Sequence, residues 1–325
     1  MKNVLVTGAG GFIGSHLVEA LVQAGKQVRA FVRYNSRNHA GHLEALPAAT
    51  AEAIELYSGD FEDARAIEKA VEGIDTVFHL GALIAIPYSY KHPVDVVQAN
   101  VLGTLNVLEA CRCDKVERVV LMSTSEVYGT AQYVPIDEAH PLQGQSPYAA
   151  TKIAADKLGE SYHLSYDLPV AIARPFNTYG PRQSARAVIA ALIVQGLVSD
   201  EVKVGNLQPT RDFCYVLDTV AGLLAIGEKP AAIGEVINLG TGSEISIGDL
   251  AREIADVLGR PLNLQQDAQR LRPAASEVDR LLAANGKAKD LLGWQPQWAL
   301  RDGLAETAKW IEAHLDDYKT GRYTV

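Results

Sequence analysis

Cysteine is scarce in this chain: Cys111, Cys113 and Cys214 are the three among its 325 residues. A sparse, odd count is typical of a protein kept in a reducing compartment. Cys111 and Cys113 form a C-x-C pair, but no second pair is present to complete a metal site. The sequence therefore predicts no bound metal, and it favours a cytoplasmic location.

Basic residues and long apolar runs are also in short supply. The chain has 30 Lys and Arg against 39 Asp and Glu, a net charge of −9, which argues against binding to nucleic acid or to an anionic membrane surface. The longest apolar stretch, residues 187–198, is shorter than the roughly 20 residues that a membrane-spanning helix needs. Glycines interrupt the N-terminal apolar run before it can form a signal peptide. We expect no nucleic-acid or membrane partner.

What the sequence does contain is a regular alternation of strand and helix patterns. Helical periodicity separates short apolar runs throughout the first half, and such alternation is typical of a parallel sheet with helices on both faces. The sequence predicts an α/β fold with a doubly wound parallel sheet. The predicted strands are 3–6, 27–32, 54–59, 76–82, 118–125, 168–177 and 235–240.

The stretch TGAGGFIG, residues 7–14, lies between the first strand and the first helix. Its glycines recur every three residues, so the turn can adopt positive φ and the backbone can approach a pyrophosphate at the helix N-terminus. The pattern predicts a dinucleotide site. Its predicted residues are Gly8, Gly11, Phe12, Ile13 and Gly14.

No carboxylate follows the second strand, where an NAD-preferring site keeps an acidic residue for the ribose 2′-hydroxyl. The chain has Arg33, Asn35, Ser36 and Arg37 there, a set that suits a 2′-phosphate. We therefore favour NADP, with NAD as the alternative if the arginines are solvated loop charges. Asp60, after the third strand, is a candidate for the adenine edge or for capping the next helix.

SPYAATK, residues 146–152, begins a helix with Ser146 as N-cap and Pro147 in the first turn. Tyr148 and Lys152 are four residues apart and so share one helix face. A lysine ammonium beside a phenol favours the phenolate and lowers the pKa of the tyrosine. Lysine can also bind the nicotinamide ribose. The spacing predicts a proton-transfer pair.

With these motifs together, the chain resembles the extended short-chain dehydrogenase/reductase family of NAD(P)-dependent nucleotide-sugar epimerases and dehydratases over nearly its whole length. The resemblance implies a nucleotide-diphosphate-sugar substrate, a homodimer and a Rossmann domain at 1–176 whose sheet is completed by about 215–240. Residues 177–214 and 241–325 would then form a smaller C-terminal α/β lobe for the sugar nucleotide. A non-catalytic nucleotide sensor of the same fold is the alternative from another class.

Other site residues follow from the same resemblance. HLGA at 79–82 and the segment around Asn100 resemble the family's cofactor contacts, while RPFNTYGPRQ and RDFCYVLDT resemble its substrate segments. Thr124 stands where the family has its catalytic serine or threonine. The implied cofactor residues are Phe61, Leu80, Ala82 and Asn100, and the implied substrate residues are Asn177 and Arg211.

Glu126, in STSEVYG, decides which reaction is predicted. The family begins by taking the proton of the sugar hydroxyl with Tyr148 while Thr124 bonds the same oxygen. A 4-epimerase needs no further base, whereas a 4,6-dehydratase needs a carboxylate to remove the C5 proton and expel the C6 hydroxyl. Thr124-Ser125-Glu126 resembles the dehydratase form, with Ser125 as a candidate proton relay. We predict a 4,6-dehydratase, with a 4-epimerase as the alternative.

Two segments point to a substrate. ALIAIPYSY at 82–90 and VRYNSRN at 32–38 resemble 4,6-dehydratases that act on nucleotide-linked N-acetylglucosamine in pathways to legionaminic-acid-type sugars. Tyr88 is a candidate for the sugar pocket, or part of a loop that packs on the sheet. Arginine suits bidentate phosphate recognition, although single loop arginines are often solvated. The candidates for the diphosphate are Arg186, Arg211 and Arg272.

Overall fold

The computed structural model describes residues 1–318, so residues 319–325 of the predicted C-terminal lobe lie outside the described part. Its strands are β1 (Asn3–Thr7), β2 (Gln27–Arg33), β3 (Ile54–Gly59), β4 (Thr76–His79), β5 (Arg118–Met122), β6 (Val170–Pro175), β7 (Asn177–Tyr179), β8 (Glu201–Val204), β9 (Thr210–Arg211), β10 (Phe213–Tyr215), β11 (Val236–Leu239), β12 (Ile245–Ser246), β13 (Asn263–Gln266) and β14 (Arg280–Leu281).

The α-helices of the described residues fill the connections between these strands. They are α1 (Phe12–Gln23), α2 (Ala48–Glu52), α3 (Ala64–Val71), α4 (Ile86–Lys91), α5 (Pro93–Val97), α6 (Gly103–Cys113), α7 (Pro147–Tyr166), α8 (Val188–Val198), α9 (Val216–Glu228), α10 (Ile247–Leu258), α11 (Gly286–Leu292) and α12 (Leu300–Ala313).

Seven strands form one sheet in the order β11-β6-β5-β4-β1-β2-β3, and every pairing in it is parallel. Val4 of β1 pairs with Val28 on one side and Thr76 on the other. The chain therefore winds outward in both directions from the β1/β4 junction, where doubly wound sheets bind their ligands. The predicted doubly wound parallel α/β sheet is confirmed.

Apolar side chains cover both faces of this sheet. Leu17 of α1 and Leu223 of α9 are fully buried on one face, and Ile67 of α3 and Leu108 of α6 are fully buried on the other. Burial on both faces explains why the strands read as continuous apolar runs. The candidate site lies at the carboxyl ends of the strands.

The second half of the chain adds small sheets that extend this scaffold. β9 pairs with β12 and β14, β8 with β13, and β7 with β10. Helices α8, α10 and α12 pack into the same core as α1 through residues such as Leu192, Leu250 and Leu304. The smaller C-terminal α/β part is confirmed, while the division into domains at 176 stays a prediction.

The described residues contain neither a helix suited to span a membrane nor a cluster of metal-binding side chains. Within 1–318, no helix is both long and apolar enough to cross a membrane. Across the same residues, no group of three or more His, Cys, Asp or Glu side chains is arranged to hold a metal ion. Cys111 is buried and Cys113 is exposed, so the two side chains of the C-x-C pair lie in different surroundings.

Candidate active site

A cavity of about 950 Å³ lies at the carboxyl ends of β1 to β6, between the glycine loop and the C-terminal lobe. This volume is near the top of the usual range for small-molecule sites, roughly 300–1,000 Å³. Most of the residues predicted from the sequence meet in its wall. They are Gly8, Gly11, Phe12, Ile13, Gly14, Arg33, Asn35, Asp60, Phe61, Leu80, Ala82, Thr124, Ser125, Glu126, Tyr148, Lys152, Asn177, Arg186 and Arg272.

The glycine loop has the shape that a dinucleotide requires. Gly8 has φ of 69°, and a Cβ there would lie 2.8 Å from the backbone nitrogen of Gly81. A Cβ on Gly14 would collide with the carbonyl oxygen of Gly8. Helix α1 begins after Gly11 with no side-chain cap, so its first N–H groups are free to bind an anion. These residues fit a pyrophosphate at the start of α1.

The ribose end of the cavity differs from the prediction in three respects. Arg33 Nε lies 3.4 Å from Asp60 Oδ2, so the arginine proposed for a 2′-phosphate already has an acidic neighbour. Asn35 holds its own loop, because its amide donates to His39 O at 2.8 Å and accepts from the backbone of Arg37 and His39. Ser36 lies outside the cavity wall.

Asn100 was predicted to contact the cofactor, but its side chain is directed into the protein. It is 1% exposed and lies in a π-helical turn, Gln98–Leu102, just before α6. Its amide accepts from Leu83 N at 2.8 Å and donates to Leu83 O and Thr151 Oγ1 at 3.0 Å each. All of its amide hydrogens are used in these bonds, so Asn100 supports the cavity wall from behind.

Tyr148 and Lys152 lie in the first turns of α7, side by side in the cavity wall. Burial raises the pKa of Tyr148, a hydrogen bond with Thr124 opposes that shift, and the Glu126 charge adds to it. Lys152 Nζ donates to Met122 O at 2.6 Å. The group that opposes the raised pKa of Tyr148 is thus Thr124, and the Lys152 ammonium is hydrogen-bonded to a backbone carbonyl.

Lys152 is 5% exposed, at the cavity wall. Burial lowers its pKa, and the Asp156 carboxylate one turn further along α7 opposes that shift. Asp156 Oδ2 accepts from Arg174 Nε at 3.0 Å and from Nη2 at 2.9 Å. This buried carboxylate therefore stands between two cations and fixes α7 against β6.

Glu126 belongs to a 3₁₀ turn, Ser125–Tyr128, that follows β5. Thr124 caps this turn, because its Oγ1 accepts from Glu126 N at 3.2 Å. The Glu126 side chain is 12% exposed, and its Oε2 lies 3.6 Å from Arg272 Nη1 of the C-terminal part. The carboxylate thus faces the cavity beside Tyr148 and Thr124, with an arginine on its other side.

The candidate substrate residues divide into two groups. Asn177, Arg186 and Arg272 line the cavity, and among residues 1–318 the buried Asn177 Oδ1 has no hydrogen-bond partner. Arg211 is not among the residues that line the cavity. Its guanidinium donates to Thr210 O at 2.9 Å and lies 3.5 Å from Glu277 Oε1.

Tyr88 also lies outside the wall. Its hydroxyl donates to Asp95 Oδ2 at 2.6 Å, and its ring stacks on His92 with 4.5 Å between centroids. Tyr88 belongs to helix α4, not to a loop, and its side chain packs against the protein. The residues of this segment that line the cavity include Ile84, Ile86 and Pro87. They belong to the same stretch, 82–90, but were not predicted as site residues.

Comparison with known proteins fits this geometry. Residues 5–307 match a family model described as GDP-mannose 4,6 dehydratase. A UDP-glucose 4-epimerase of Mycolicibacterium smegmatis is 34% identical over 94% of this chain and 97% of its own. The Thermotoga maritima UDP-glucose 4-epimerase, solved with UDP-glucose, superposes with a TM-score of 0.88 at 29% identity, over 96% of this chain and 99% of that one.

A dehydratase is similarly close. The dTDP-glucose 4,6-dehydratase of Streptomyces venezuelae, solved with NAD bound, has a TM-score of 0.86 at 28% identity, over 98% of this chain and 99% of that one. These relatives carry no link to the legionaminic-acid pathway. Solved relatives hold NAD, so the preference for NADP has no support. The chain belongs to the extended short-chain dehydrogenase/reductase family, among its nucleotide-sugar epimerases and 4,6-dehydratases.

Proposed function

We propose that this protein is a nucleotide-sugar 4,6-dehydratase. The observation that carries the proposal is the Glu126 carboxylate, which lines the same cavity as Thr124 and Tyr148. A 4-epimerase requires no base beyond the tyrosine, whereas elimination of water across C5 and C6 requires one. A carboxylate beside the tyrosine therefore favours elimination.

The cofactor proposed is NAD. Gly8, Gly11 and the start of α1 would hold its pyrophosphate, and Lys152 would hold its nicotinamide ribose. When bound, the nicotinamide would supply the two-electron chemistry that oxidation at C4 and reduction at C6 of the sugar require. Arg33 and Asn35 line the ribose end of the cavity, so the affinities for NAD and NADP should be compared directly.

Side chains of this protein carry out the proton transfers. Tyr148 accepts the proton of the C4 hydroxyl, and the Thr124 hydrogen bond favours its phenolate. With C4 oxidised, the C5 proton is acidic, and Glu126 removes it. The C5–H electron pair forms the C5–C6 double bond as the C6 hydroxyl leaves, protonated to water by Glu126 itself or through Ser125, which also lines the cavity.

Binding of the substrate would use the C-terminal side of the cavity. Arg186 and Arg272 line it and would hold a diphosphate in a protein whose net charge is −9. The unpartnered Asn177 Oδ1 would accept a hydrogen bond from the sugar nucleotide. We propose N-acetylglucosamine as the sugar, on the resemblance of residues 82–90 alone. Mass spectrometry of products from UDP-, GDP-, CDP- and dTDP-linked sugars tests this choice and identifies the base.

The second candidate is a 4-epimerase, because relatives that are 31% and 34% identical carry that name. Such an enzyme would use Thr124, Tyr148 and Lys152 alone. The C4 ketone would be reduced on its other face, and no bond at C5 or C6 would change.

Glu126→Gln separates the two candidates within one protein. A dehydratase should lose elimination by about a hundredfold or more while C4 oxidation persists, seen as absorbance of reduced nicotinamide. The matched control is Glu277→Gln, which likewise removes a carboxylate that lies beside an arginine, here Arg211, but from outside the cavity wall. If Glu126→Gln turns over as fast as Glu277→Gln, the proposed role of Glu126 is wrong.

A further inference from the structure

A chain of hydrogen bonds runs through the buried interior beneath the cavity. Its centre is His79, the last residue of β4, which is 3% exposed. His79 Nδ1 lies 2.7 Å from Thr7 Oγ1, and Nε2 lies 3.1 Å from Thr104 Oγ1. Thr7 and Thr104 are also buried, so the imidazole joins β1 to α6 inside the protein.

The direction of each bond follows from the groups at its ends. Thr104 Oγ1 gives its one hydrogen to Asn100 O at 2.7 Å, because a carbonyl oxygen only accepts. Thr104 therefore accepts from His79 Nε2. Burial lowers the pKa of His79 to about 3, so the ring is neutral and its Nδ1 accepts from Thr7. The Thr7 oxygen in turn accepts from Gly81 N at 3.1 Å.

The chain continues through Asn100 to the helix that carries Tyr148. The Asn100 amide binds both backbone groups of Leu83 and donates to Thr151 Oγ1 at 3.0 Å. Thr151 Oγ1 then donates to Tyr148 O at 2.7 Å. Every polar hydrogen in this series has an acceptor, the condition in which a buried network is rigid.

The two ends of the chain are both in the cavity wall. Gly81 and Leu83, at one end of the hydrogen-bond chain, line the cavity, and so does Tyr148, at the other end of the chain. A Cβ on Gly8 would lie 2.8 Å from Gly81 N, so the glycine loop rests directly on the segment that the chain holds. Movement of that segment would therefore alter the spacing between the dinucleotide site and the phenol.

We infer that His79 and Thr104 are positioning residues, which set the distance between the Gly81–Leu83 wall and the Tyr148 side chain. The inference rests on the proposed function in taking Tyr148 as the base, and it adds residues that are buried beneath the cavity wall. Misplacement of reacting groups by about 1 Å can cost about a hundredfold in rate. A hydrogen-bond chain that fixes this spacing thus acts on the rate through the position of Tyr148, without touching the substrate.

Three variants test the inference. Thr104→Val removes the hydroxyl with little change in shape, and Thr104→Ser keeps it. Thr307→Val is the matched control, because Thr307 is fully buried and its hydroxyl donates to Gly303 O at 2.6 Å within α12, the same bond to the preceding turn that Thr104 makes. We expect Thr104→Val to slow reduction of bound nicotinamide by a sugar nucleotide about tenfold to a hundredfold with KM little changed. Thr104→Ser and Thr307→Val should remain near wild type.

A second readout needs no turnover. Nitrogen NMR of labelled histidine should find His79 neutral with its proton on Nε2, and Thr104→Val should shift that signal while Thr307→Val leaves it in place. A proton on Nδ1, or equal rates in Thr104→Val and Thr307→Val, would overturn the inference. Reduction of the nicotinamide precedes both elimination and C4 inversion, so these variants remain informative even if the reaction proves to be epimerisation.

Discussion

His16 gives a quantitative test of how α1 is joined to the substrate side of the molecule. Its ring is 8% exposed, and Nε2 lies 3.0 Å from Pro181 O. A carbonyl oxygen only accepts, so Nε2 carries the proton. Burial, together with the nearby Arg182 guanidinium, lowers the pKa of His16 to about 4. The imidazole is therefore neutral in the folded protein at pH values where it would be charged in the unfolded chain.

The sign of the pH effect follows from that difference. The folded pKa lies below the unfolded value of about 6.5, so the contribution of His16 to stability is complete above about pH 6.5 and is lost as the pH falls toward about 4. For a shift of this size, linkage gives a loss of about 2 kcal/mol between about pH 8 and about pH 5.

His16→Gln keeps an N–H donor and removes the titration. Urea unfolding of the wild type and of His16→Gln at the two pH values gives the free energy of unfolding of each protein. The contributions of the other titrating groups are the same in both proteins and cancel in the difference. Relative to the variant, the wild type should lose about 2 kcal/mol on going from about pH 8 to about pH 5. A difference that is the same at both pH values would refute the reasoning.

Three further predictions concern the cofactor loop, the interior and assembly. Gly8→Ala should weaken NAD binding in calorimetric titration by about tenfold or more, because the new Cβ meets Gly81; Gly25→Ala, at φ 73° with nothing within 4 Å, should bind NAD normally, and equal affinities would contradict this. Asp156→Asn should lower the free energy of unfolding by about 3–5 kcal/mol, because it leaves the buried Arg174 without its counter-charge; a loss below about 1 kcal/mol would count against it. Sedimentation velocity should find the predicted homodimer, and a monomer would make that prediction wrong.

The fold was predictable from the sequence because its signals are local. In the first half of the chain, strands β1 to β5 are short runs rich in apolar residues with helical segments between them, so periodicity alone indicates the parallel sheet. The glycine loop and the Tyr148–Lys152 pair are also local, since one lies in a single turn and the other on one face of α7. The cavity forms where these local elements meet, at the carboxyl ends of parallel strands.

The placement of the long side chains was not predictable in the same way. Tyr88, Asn100 and Arg211 stand in the expected segments, but each is turned away from the cavity by a partner, namely Asp95, Leu83 and Glu277. Such partners are chosen by packing in three dimensions. The approach of Arg272 to Glu126 likewise joins segments far apart in the chain, and no spacing rule reports it.

Product analysis of the wild-type protein tests the central claim, that Glu126 makes this an eliminating site, most directly. The protein is incubated in heavy water with NAD and the nucleotide-linked sugar that it consumes, and the product is examined by mass spectrometry and proton NMR. We predict a 4-keto-6-deoxy sugar that has lost one water, with deuterium at C5 and a methyl group at C6. A product of unchanged mass, with C4 inverted and hydrogen retained at C5, would contradict the account.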